Sequence, residues 1–123
     1  MEYGTFEQVV SERAGVPRDR AANLIRATLE TLSERITGGE AKDLAAQLPK
    51  PAQEWLTGSP EPAERFDLTE FIRRVAERAQ VPPDEAREAT RVVLRTLREA
   101  VTAGEFDDVM SQLPKEFGEF VES

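Results

Sequence analysis

The chain has 123 residues, enough for one domain with a core, and 24 acidic against 16 basic side chains give it a net charge of −8. Its 39% hydrophobic and 33% charged residues suit a folded chain, while the acidic balance argues against duplex nucleic acid, whose binding rests on neutralising phosphates. The lack of cysteine and histidine excludes thiol chemistry, disulfides, serine–histidine triads and nearly all zinc sites; no stretch reads as a membrane span or signal peptide, so the expected location is cytoplasmic, with no membrane partner.

In chain order, Thr5 with Gln8 reads as a capping box opening a short helix that carries Phe6, Val9 and Val10 on one face. Gly15 ends it, and Pro17 with Asp19 opens a longer second helix expected to run to about Thr37 and stop at Gly38-Gly39. Glu40 follows, then Ala41, Leu44, Ala45 and Leu48 at third-helix spacing; Pro49 stops this helix, and a short fourth carries Ala52, Trp55 and Leu56. Residues 57–64, with two prolines and a glycine, cannot continue a helix and read as a linker.

The remainder copies the first half at an offset of 65 residues. Without a gap, 23 of the 51 positions from residue 6 to 56 are identical to their counterparts, among them Glu12-Arg13-Ala14 with Glu77-Arg78-Ala79 and Gln47-Leu48-Pro49-Lys50 with Gln112-Leu113-Pro114-Lys115. The expected fold is therefore all-α: about eight helices as two tandem, pseudo-symmetric four-helix repeats, residues 1–56 and 65–123, packed into one bundle and a single globular domain. On a helical wheel the apolar residues of Ala86 to Val101 cover an arc of roughly 200°, too wide for a surface helix, so this helix should be central and face its counterpart at residues 19–37.

Candidate interaction residues are few. Arg87, Arg91, Arg95 and Arg98 line the narrow arc left by that apolar face, where they can hold an anion or an acidic partner, or form ion pairs with Glu88 and Glu99; the first repeat keeps only Arg26. Gln47 and Gln112 belong to the most closely copied tract, where each amide can bond freed carbonyls at its own helix end or serve in recognition of a partner. Phe117 and Phe120, with Val121, form either core or an exposed stripe for a partner, and Trp55 reads as core. Glu105, Asp107 and Asp108 cluster but lack calcium-loop spacing, and acids in a first turn suit the helix dipole; no catalytic residue, metal or cofactor is expected.

The tracts Phe71-Ile72-Arg73-Arg74-Val75-Ala76-Glu77-Arg78-Ala79, Glu85-Ala86 to Thr90 with Leu94 and Leu97, and Asp43-Leu44-Ala45-Ala46-Gln47-Leu48-Pro49 resemble the domain of unknown function 2267 family over nearly the whole chain. The resemblance implies an all-helical fold with related halves, carries over no catalytic residue, and hints at regulation through the stress-related and nucleotide-sensing domains such proteins accompany. The functional expectation is a non-enzymatic regulatory or protein-interaction module whose partner is another protein or itself, as a homodimer. The alternative is a binder of an acyl chain or anion in an inter-repeat cavity or at the arginine row.

Overall fold

Proline and glycine set the helix boundaries. In the computed structural model, which describes residues 1–123, the helices are α1 (Tyr3–Ala14), α2 (Arg18–Arg35), α3 (Gly38–Ala46), α4 (Lys50–Trp55), α5 (Leu68–Ala79), α6 (Pro83–Ala100), α7 (Ala103–Ser111) and α8 (Lys115–Glu122). Pro17, Pro49, Pro82 and Pro114 each occupy the N-cap position with extended backbone, where the missing N–H costs no helical hydrogen bond. Gly15 closes α1 in the left-handed region at φ 68°, and Gln80 does the same for α5 at φ 56°. The first four helices start 65 residues before the last four, and no strand is present.

Two boundaries differ from expectation. α1 begins at Tyr3 with Glu2 as its N-cap, so Thr5 lies inside the helix and caps nothing. Tyr3 sits there because its ring packs edge-on against Trp55 at 5.7 Å, a contact from α4 that local spacing does not reveal. α2 stops at Arg35, and Gly38-Gly39 form the first turn of α3. The Thr37 hydroxyl accepts the Glu40 N–H at 3.2 Å, and this cap outweighs the breaking tendency of the two glycines.

The halves interleave. α1 packs on α2 and also on α6, α5 packs on α6 and also on α2, and α2 meets α6 directly, which makes a four-helix centre. Val10, Leu24, Ile25, Leu29, Leu32, Val75, Leu94 and Leu97 fill it, each at most 1% exposed. Four threonines are wholly buried here, and each hydroxyl donates to the carbonyl one turn earlier: Thr28 to Leu24, Thr31 to Ala27, Thr90 to Ala86 and Thr96 to Val92, at 2.7–2.8 Å. α4 returns to α2, α8 covers α6, and α3 meets α7 at one end. The connection beyond α4 is tied down as well: the Glu64 N–H donates to Glu34 O at 2.9 Å, Arg35 Nε donates to Phe66 O at 2.8 Å, and the Arg74 guanidinium lies 3.9 Å from the Phe66 ring centre. No helix is long and apolar enough to cross a membrane.

Candidate functional site

The pattern Thr-x-x-Glu at Thr37–Glu40 and again at Thr102–Glu105 has the spacing of a capping box, in which the glutamate normally folds back on the N-cap N–H. Only the threonine half of that arrangement forms: Thr37 Oγ1 accepts from the Glu40 N–H and Thr102 Oγ1 from the Glu105 N–H, both at 3.2 Å. The N-cap N–H groups are taken instead by glutamines of the opposite half. Thr37 N–H donates to Gln112 Oε1 at 2.8 Å and Thr102 N–H donates to Gln47 Oε1 at 2.9 Å. Each amide completes the clasp by donating to the same threonine hydroxyl, at 3.3 and 3.4 Å.

The glutamates, released from capping, turn inward at the α3–α7 contact. Glu40 is 7% and Glu105 8% exposed. Glu40 Oε1 and Glu105 Oε2 are buried without any hydrogen-bond partner, which among buried side-chain atoms is otherwise true only of Ser59 Oγ. Asp43, one turn along α3 and exposed, brings a third carboxylate, so that one oxygen from each of Glu40, Asp43 and Glu105 lies within 4.8 Å of the others. Burial, followed by a hydrogen bond to Glu105 and the charges of Glu105, Asp108 and Asp43, pushes the Glu40 carboxyl up to about 7. Two full charges at 4.8 Å and an effective dielectric of about 20 repel by about 3.5 kcal/mol. Such a pair is eased by a shared proton, by a cation or by separation of the two helices.

Sequence reasoning placed the acids elsewhere. It grouped Glu105 with Asp107 and Asp108 on one helix, whereas Glu105 meets Glu40 from the other half, and Asp107 is exposed outside the three-carboxylate group. A signal for the pairing existed: Thr37, Gly39, Glu40, Asp43 and Gln47 are all identical to their counterparts 65 residues later. Gln47 and Gln112 also depart from expectation, because they cap the opposite half rather than their own helix ends.

The other candidates serve the packing of α8. Arg95 donates to Val121 O and Ser123 O at 2.6 Å, Arg91 reaches Ser123 O at 2.9 Å and pairs with Glu88, and Arg98 pairs with Glu122. Arg87 lies over the Phe120 ring at 5.1 Å. The expected partner Glu99 pairs instead with Arg13 of α1. Phe117 and Phe120 are 0% and 6% exposed, and Phe117 meets Phe71 edge-on at 5.5 Å, so the exposed-stripe reading of these phenylalanines and Val121 is replaced by core. Trp55 is half-buried against Tyr3 and the core. Among large hydrophobic residues only Met1 is exposed.

Fold and site together define an eight-helix bundle whose halves are clasped by glutamine caps around buried carboxylates. The chain belongs to the uncharacterized conserved protein family DUF2267, whose model matches residues 3–120. No curated protein matches it.

Proposed function

We propose that the chain is a non-enzymatic regulatory module, acting through interaction with a protein or with itself, and that the α3–α7 seam is the element that changes state. The observation supporting this is the pair of buried carboxylates, each with an unpartnered oxygen, held face to face by the glutamine clasps. Four clasp hydrogen bonds at about 1 kcal/mol each nearly balance the ionised pair's repulsion, so a modest differential interaction tips the seam. The four-helix centre, apolar apart from threonines bonded within their own helices, has no such balance to upset.

Hydrogen exchange tests this directly. Amides of α3 and α7 are expected to exchange through a local opening that leaves α2 and α6 protected. Replacing both clasps, Gln47→Ala with Gln112→Ala, speeds that opening tenfold or more, while Glu105→Gln, which lets an amide donate to Glu40, slows it. Exchange of all helices in one global step, unchanged by either variant, would sink the reading.

A second reading, a small-ligand binder, draws support from a cleft of about 710 Å³ beside Gly38, Gly39, Lys42 and Glu61, with the unpartnered Ser59 Oγ near its wall. It does not use the arginine row, which α8 occupies, nor a space between α2 and α6, which touch. A thermal-shift series with phosphates and acyl acids tests it, since a ligand at 100 times its Kd adds about 2.7 kcal/mol of stability.

A further inference from the structure

We propose that the α3–α7 seam is a binding site for one divalent cation of calcium's size, held by Glu40, Asp43 and Glu105. The inference deepens the regulatory reading by naming what occupies the seam, and it rests on that reading for its consequence but not for its chemistry.

Acidic residues clustered on a surface carry no such implication; these are different in two respects. Glu40 and Glu105 are more than nine-tenths buried, each keeps one buried oxygen without a partner, and their carboxylates lie together at the contact. Their ordinary employment, closing their own capping boxes, has been taken over by Gln112 and Gln47. The fold thus frees two glutamates from local bonds and faces them at each other. Asp43 stands at the exposed margin, where water can complete a coordination shell.

The dimensions favour one class of ion. Oxygens within 4.8 Å of one another can all reach a single cation with bonds of about 2.3–2.6 Å after small side-chain movements, and calcium's flexible shell accepts three carboxylates fixed by two separate helices, whereas magnesium demands a near-ideal octahedron at about 2.0–2.1 Å and gives up its waters reluctantly. All ligands are hard oxygens, which suits calcium and not the softer metals. The two helix N-termini point positive charge toward the seam and oppose a cation, but each is worth about 0.3–1 kcal/mol, little beside three carboxylate charges. The chain's net charge of −8 adds a long-range attraction. With three protein carboxylates and the rest water, affinity belongs in the weak range, with Kd about 0.1–1 mM.

Calorimetric titration of the whole, chelator-treated chain with calcium chloride at pH 8 tests the assignment. Expected is one calcium per chain, with magnesium bound at least tenfold more weakly. Glu40→Gln combined with Glu105→Gln abolishes binding, and Asp43→Asn, at an exposed position that leaves the core intact, weakens it about tenfold. Glu2→Gln with Glu119→Gln removes the same charge from exposed positions and leaves binding unchanged. No saturable heat up to 5 mM calcium, a Kd unmoved by the seam variants, or equal losses in the surface variant would overturn the site. If calcium fails while α3 and α7 still open locally and respond to Gln47→Ala and Gln112→Ala, only the cation is wrong; if that opening is missing too, the regulatory reading falls with it.

Discussion

At Glu34 a single carboxylate fastens the two halves. It accepts from Arg78 at 2.6 Å and from Arg74 at 3.0 Å, both on α5, while Arg78 also donates to the buried Thr31 of α2 at 2.9 Å. Burial pushes the Glu34 carboxyl up, but the hydrogen bonds from Arg78 and Arg74 outweigh it and hold the group below its ordinary value. The unfolded chain therefore binds this proton more readily than the folded one, so the stabilisation is present above the ordinary carboxylate range and is lost as pH falls through the lowered folded value. Glu34→Gln is expected to cost about 1 kcal/mol at neutral pH, as partly exposed ion pairs do, and the deficit should shrink toward pH 3. Urea melts of both proteins at neutral and acid pH measure this; a deficit that stays constant across the range would show that the charge is not what matters.

Among the elements, α8 has its end held by two arginines of another helix. A helix leaves its last carbonyls unbonded, and here Arg91 and Arg95 of α6 supply both donors and positive charge at the negative end of the dipole. Arg95→Ala is expected to leave the anchors Phe117 and Phe120 in place while the final turn frays, with amides near Glu122 exchanging about fivefold faster, as the loss of roughly 1 kcal/mol of local bonding implies. Unchanged exchange would mean that the phenylalanines alone seat the helix.

The arginine spacing was plain in the sequence, but its target was not, because Val121 and Ser123 lie more than 25 residues from Arg95. The same distinction holds elsewhere. Gly15, Pro17, Pro49 and Pro114 act through their own backbone and were legible as boundaries. Thr37 was missed as a cap because the two following glycines carry the stronger local signal for a helix end. The Glu40–Glu105 contact lay further out of reach, since each glutamate fits its own Thr-x-x-Glu pattern and only the glutamine of the other half explains why neither uses it.

For the whole molecule, the decisive feature is that each half completes the other. α1 lies on α6 and α5 on α2, and the clasps at Thr37 and Thr102, the Arg20–Glu85 pair at 2.6 Å and the Asn23 bond to Ala79 O at 2.9 Å all cross between halves. The covalent link between α4 and α5 contributes mainly by raising the effective concentration of one half near the other. Its start is exposed at Thr57 and Gly58, and few bonds restrain that stretch. A protease site placed at Thr57–Gly58 should therefore be cut in the folded protein without separating the pieces, because the apolar centre is shared between them. Native mass spectrometry of the nicked chain is expected to find both fragments in one particle near 13.7 kDa, with helical signal retained but a melting temperature that has become concentration-dependent. Fragments that part on nicking, each keeping its helices, would mean that the halves are independent domains and that the interleaved contacts contribute little.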